Sequence, residues 1–153
     1  VDRCPRCGNT KLSYGGGHMA CCGSCGLIAD EEVFEVPVEE VITDEMVADF
    51  ADTAREGGSN YWCDELLCLR PAERPLTYFG EKLAAGAWYA AAEFDEDPHQ
   101  RDWHPLDAAR MRAGIGSAAQ HFDRPIDVFH EQHDAGDADV AFQYAVLGKV
   151  VYG

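Results

Sequence analysis

From residue 43 onward, apolar positions recur at steps of three and four, the period of an amphipathic helix. Thr43 is placed to cap a helix of about fourteen residues, with Met46, Val47, Phe50 and Ala54 on one face and Gly57-Gly58 at its end. Ser59 or Asn60 caps a second, which stops at Arg70-Pro71. After Pro75 the residues Leu76, Phe79, Leu83, Ala87, Ala90 and Phe94 form a continuous apolar stripe. A fourth helix is expected over 105–122, opened by Pro105 and carrying Ala108, Met111, Ile115, Ala118 and Phe122. A shorter one fits Pro125 to Asp134, and a last one fits Asp137, as cap, through Val140, Tyr144, Leu147 and Val151. For 140–152 a strand stays open as the alternative, because Val146 to Tyr152 is rich in β-branched residues. Glycines at 80, 86, 114 and 116 sit on these faces, where helix propensity is lost and close approach of a neighbouring helix is gained.

Before residue 43 the pattern changes. Phe34, Val36 and Val38 alternate with Glu35, Pro37 and Glu39, which suits a short edge strand or an extended arm; Pro37 excludes a central strand. The chain therefore divides into a small module over 1–32, an extended connector over 33–42 and an acidic domain over 43–153. The expected fold class is a small β zinc ribbon followed by a mainly α-helical domain of about 4–6 helices.

The cysteines give the module its chemistry. Cys4-Pro5-Arg6-Cys7-Gly8 and Cys22-Gly23-Ser24-Cys25-Gly26 are two C-x-x-C-G knuckles separated by fourteen residues. Each is a tight turn whose amides face the sulfurs, and the following glycine tolerates the positive φ required there. Cys4, Cys7, Cys22 and Cys25 then supply the four thiolates of one structural Zn²⁺. Asn9 to Ala20 is long enough for two short strands turning at Tyr14-Gly15-Gly16-Gly17. Cys21 and His18 are spare in this scheme, since ligation by Cys21 would lengthen the second knuckle to C-x3-C. Cys63 and Cys68, on a helix, would lie about 140° apart and act as small buried hydrophobes.

The stretch CPRCGNTKLSYGGGHMACCGSCGLIADEE resembles the N-terminal zinc ribbon of archaeal transcription factor B and its eukaryotic counterpart. There, a CPxCG knuckle, a hairpin and a CxxCGLV-type knuckle lead into an acidic segment, matched here by Cys25-Gly26-Leu27-Ile28 and Ala29-Asp30-Glu31-Glu32. The resemblance covers only the first 32 residues. It implies the ribbon fold and a protein-docking habit. It does not imply a general initiation factor, because the remaining chain is too short and too acidic for two DNA-binding cyclin-like repeats.

Charge narrows the partners. The net charge is −16, with twenty-eight acids against nine Arg and three Lys. Arg3, Arg6 and Lys11 against Asp2 give residues 1–26 a charge of +2, leaving −18 for 27–153. Such a body repels phosphate, so direct binding to duplex DNA is not expected. Acid excess with scarce lysine also suits a protein adapted to high salt. No run of eighteen apolar residues offers a membrane span, and the opening Val1-Asp2-Arg3-Cys4 lacks a signal-like apolar segment. A cytoplasmic location follows as the expectation, or the virion if the chain is an assembly subunit.

Enzymatic constellations are weak. His130 and His133 stand three apart, not the four of the metalloprotease motif; they form a candidate second metal pair against the plainer reading of a polar helix end. Asp95-Glu96-Asp97-Pro98 and Asp137-Ala138-Asp139 read as caps and solvated loops before cation sites. Gly114-Ile115-Gly116-Ser117 is too short for a phosphate loop. The expectation is a non-enzymatic protein that docks on protein partners, a transcription-associated regulator or adaptor. The alternative is a structural subunit of a large assembly such as a halophilic virion, and a His130/His133 metalloenzyme is the remote third reading.

Overall fold

The computed structural model describes residue 4 and residues 12–15, 17–30 and 41–153. Cys7, with the first knuckle, and the expected arm at Phe34–Glu39 lie outside the described residues. An N-terminal sheet of three short antiparallel strands comes first: β1 (Leu12–Tyr14), β2 (Met19–Cys22) and β3 (Ile28–Asp30), in that spatial order. The β1–β2 turn falls at the glycine run, where the Gly15 N–H donates to the Met19 carbonyl at 2.8 Å. Gly17 and His18 take positive φ there, 77° and 62°, and His tolerates this better than a β-branched residue would. Two strands were expected; pairing of Ala20 with Ala29 and of Cys21 with Ile28 adds the third.

Thr43 caps α1 (Asp44–Thr53), its hydroxyl accepting the Met46 N–H at 3.3 Å. One wider π turn, Ala54–Gly58, continues the helix to the expected glycine pair. Val47, Phe50, Ala51 and Ala54 are buried, as the stripe requires.

The next expected helix is a strand. β4 (Cys63–Arg70) pairs antiparallel with β5 (Trp88–Glu93), and β5 pairs with β6 (Trp103–Leu106), giving a second sheet in the order β4-β5-β6. The expected helix over 76–94 is therefore corrected too. Only α2 (Phe79–Ala84) forms, and it ends in a Schellman cap: Gly86 N–H reaches the Leu83 carbonyl and Ala87 N–H the Lys82 carbonyl, at 3.1 and 3.0 Å. Gly86 sits at φ 100°, where a side chain would be strained. So Gly86 is a helix stop, not a close-packing glycine. Asp52 of α1 caps α2 from outside, accepting the Gly80 N–H at 2.7 Å.

Pro105 belongs to edge strand β6, where its missing N–H costs no ladder bond, and not to the start of a helix. α3 (Ala108–His121) starts one turn later, capped by Asp107 through the Arg110 N–H at 2.8 Å. α4 (Ile126–Gln132) follows Pro125. α5 (Ala135–Leu147) is opened by Asp134 in a capping box with Asp137, and so starts before the expected cap. Gly148 at φ 76° ends it, which corrects both the extension to Val151 and the strand alternative. Its most buried apolar residues are Ala138, Ala141, Phe142 and Ala145; Val140, Tyr144 and Leu147 are only half-buried.

One core joins these elements: Phe50, Trp62, Leu83, Leu106, Met111, Ile115, Phe129 and Phe142 are fully buried within it. The body is thus a mixed α/β unit with helices on one side of a three-stranded sheet. Gly114 is where α3 and α5 approach closely. A Cβ there would collide with the Ala141 carbonyl and lie 2.8 Å from the Ala145 Cβ. Gly114→Ala should destabilise the body by about 2–3 kcal/mol, because two backbones must separate. Urea denaturation checks this, and a loss below about 0.5 kcal/mol would show that α3 and α5 yield freely.

Candidate metal centre

The second knuckle is built by β2 running straight into a turn. Cys22 is the last residue of β2, and its N–H donates to the Leu27 carbonyl at 2.8 Å. Gly26 returns an N–H to the Cys22 carbonyl at 3.0 Å and takes φ 74°. That positive φ is why a glycine must follow the second cysteine. The turn lifts Cys25 to the same side as Cys22, and Cys4 comes in from the N-terminal side.

The result is a three-sulfur cluster. The Sγ atoms of Cys4, Cys22 and Cys25 all lie within 4.8 Å of one another, with Cys4 and Cys25 at 3.5 Å. A disulfide would require about 2.05 Å. Tetrahedral thiolates around a metal at about 2.3 Å stand roughly 3.8 Å apart, so the spacing suits a shared ion. Cys4 and Cys22 are buried and Cys25 half-buried. Among the described residues, Ala20, Leu12, Leu27 and Ala29 pack around them, little apolar surface for three strands. These three cysteines could hold a metal ion. The fourth expected ligand, Cys7, lies outside the described residues.

The neighbouring cysteine is resolved by strand alternation. Cys21 precedes Cys22 on β2 and so points to the opposite face, where it is half-buried and its thiol lies 3.7 Å from the Cys22 carbonyl. Cys22, not Cys21, joins the cluster. Cys63 and Cys68 lie on β4 instead of a helix. Cys63 is buried, and burial raises its thiol to about 11, so it behaves as the expected small hydrophobe. Cys68 is exposed, contrary to that expectation.

His130 and His133 are drawn into separate hydrogen bonds. His130 Nε2 lies 2.8 Å from an Asp49 carboxylate oxygen of α1. His133 donates from Nδ1 to the His130 carbonyl at 2.6 Å, leaving Nε2 to accept from the Thr53 hydroxyl at 3.2 Å. Its ring stacks on Phe50 with centroids 4.1 Å apart. The pair ties α4 to α1. Among the described residues, the cysteine cluster is the one group of three or more ligand-type side chains whose donor atoms converge.

The acidic clusters act as caps and anchors. Asp97 accepts the His99 N–H at 3.0 Å and Asp95 the Asp97 N–H at 2.8 Å. Asp137 closes the capping box and pairs with Arg124 at 3.0 Å. Asp139 does something the sequence did not suggest. Buried on α5, its carboxylate accepts from Ser59 Oγ, Tyr61 OH, Trp62 Nε1 and Gln143 Nε2, at 2.7–2.9 Å. Burial and donation to Asp139 raise the Tyr61 phenol to about 12. Gln143 also binds the chain end: its Nε2 donates to the Tyr152 carbonyl, and its Oε1 accepts the Val151 and Tyr152 amides. Tyr152 stacks on Trp62 and donates to Glu93 at 2.6 Å, which raises the phenol to about 12. Burial alone would raise Glu93, but the bonds from Tyr152 and His104 outweigh it and hold the carboxyl below its usual value.

Comparison of the chain with protein-family models, curated proteins and solved structures gives no match. Among the described residues, no helix is long and apolar enough to cross a membrane.

Proposed function

We propose that this chain is a non-enzymatic zinc-ribbon protein that docks on a protein partner, a regulator or adaptor of the kind its N-terminal resemblance to transcription factor B suggests. The observation that carries the reading is the convergence of Cys4, Cys22 and Cys25 on a glycine-turned knuckle. One structural Zn²⁺ with Cys7 as fourth ligand completes it. Such an ion supplies stability and leaves no open coordination position for chemistry.

The docking surface would be the N-terminal sheet's other face. Ile28 and Met19 are exposed there, with Cys21 half-buried between them; Tyr14, exposed at the hairpin end, is in register with Ala20 on the cluster face. Aromatic and methionine side chains are enriched at such contacts. Duplex DNA is a poor partner for a chain of −16. A second reading, a subunit of a large assembly, is favoured by the uncovered apolar face of the β4–β6 sheet.

The test sets the wild type against Ile28→Asp in affinity capture from native extract at high salt, with zinc content measured for both. A partner retained by the wild type and lost about tenfold or more with Ile28→Asp, at equal zinc, is the expected result. Equal capture by both would sink docking through this face. Micromolar binding to random duplex that weakens steeply with salt would overturn the exclusion of DNA.

A further inference from the structure

Among the described residues, helices pack against one face of the β4-β5-β6 sheet only. Cross-strand registry puts Leu66, Ala91 and His104 on the covered face, with Tyr89, Leu106 and, at its exposed margin, Cys68. The alternate set faces away: Leu67 with Ala90 and Pro105, and Trp103 beside the buried Ala92. Trp88, paired with Arg70, extends it at that end, while Leu69 lies within the register shift between Cys68 and Arg70. Leu67, Trp88 and Trp103 are 49%, 47% and 44% exposed. Three large side chains near half exposure offer on the order of 300 Å² of apolar surface, the lower end of the range for the largest patches on monomers, which often are contact sites.

Charge sits at the two ends of this face with opposite sign. At one end are Asp64 and Glu65, against which Arg101 is placed, leaving one net negative charge. At the other, the Arg70 guanidinium lies over the Trp88 ring at 4.8 Å. A twofold axis lying in the interface and perpendicular to the strands would set each acidic end against the other copy's Arg70. The apolar centre would meet itself. A standard interface buries about 800 Å² per partner with a little over half of it apolar, so this patch supplies the greater part of the apolar centre and the flanking polar surface the remainder.

We infer that the outer face of the β4–β6 sheet is the interface of a face-to-face homodimer of this chain. The inference is independent of the docking function proposed above, since it uses the other sheet. Both copies carry −16, so association must work against long-range repulsion. Dimerisation therefore strengthens with salt as the Debye length falls from about 10 Å at 0.1 M to 3 Å at 1 M. A basic partner protein would show the opposite trend.

The experiment is light scattering and sedimentation of the zinc-loaded full chain across about 1–200 µM, in about 0.15 M and 2 M KCl. The wild type should dimerise, more tightly at high salt. Tryptophan emission should shift to the blue with concentration, because Trp88 and Trp103 leave water while Trp62 is already buried. Leu67→Lys and Trp103→Lys, each at an exposed position, should weaken association at least about 30-fold while keeping the wild-type melting temperature. Ile28→Lys on the N-terminal sheet should associate as the wild type does. A monomer at every concentration and salt overturns the inference. So does a dimer indifferent to both sheet variants, or one lost with Ile28→Lys alone.

Discussion

Removing the metal should unfold the N-terminal sheet and leave the body folded. One zinc per chain is expected, and Cys22→Ser or excess chelator should release it. The reason is scale. Among the described residues the N-terminal cluster, beyond the sulfurs, buries Ala20 fully and Leu12, Leu27 and Ala29 partly, so hydrophobic burial among them amounts to about a few kcal/mol. A structural zinc contributes on the order of 10 kcal/mol, which exceeds everything else holding three strands of three or four residues. The body has its own core around Phe50, Trp62, Phe129 and Phe142 and does not draw on the ion. Amide exchange should therefore lose protection at Cys22 and Gly26 on chelation, while Ala91 and Ala118 stay protected. Elemental analysis finding no zinc in fresh protein would sink the metal assignment. Unchanged exchange at Cys22 after complete chelation would show that the strands stand alone.

What could be read in advance was local. The C-x-x-C-G spacing pointed to the second knuckle within five residues, and there Cys22 and Cys25 converge with Cys4 while Gly26 at 74° takes the expected conformation. α1 was legible for the same reason: Thr43, the Val47–Phe50–Ala54 face and Gly57-Gly58 all lie within sixteen residues. The body sheet was not legible. Leu76 to Phe94 keeps helical spacing, and Ala90, Ala91 and Ala92 favour helix by propensity, yet they form the central strand because β4 and β6 pair on either side. Gly86 was the available signal. Read as a helix stop at C′, it separates a short helix from an aromatic-led strand at Trp88. Asp139 could not have been found this way. Three of its four donors sit 77 to 80 residues earlier in the chain, and nothing near Asp139 announces them.

Asp139→Ala should be the most damaging single substitution in the body, costing about 3–5 kcal/mol. The carboxylate is 6% exposed and all four of its hydrogen-bond donors are neutral, so no cation is left behind when it goes. What remains are donors without an acceptor. Ser59 Oγ and Trp62 Nε1 are held in the interior, and each buried unsatisfied donor costs about 1–3 kcal/mol. Tyr61 is half in solvent and recovers a water, so its share is small. Gln143 loses one of two bonds from Nε2 but keeps Tyr152. Asp139→Asn should cost less, because one oxygen still serves Ser59 and Trp62, while its amide nitrogen faces the Gln143 donor. Melting followed by Trp62 fluorescence should place Asp139→Asn between the wild type and Asp139→Ala, with the alanine variant lower by on the order of 15 °C. If both variants fall within about 1 kcal/mol of the wild type, the network is ornament to a fold held elsewhere, and the C-terminal tail it anchors through Gln143 is free to leave without consequence.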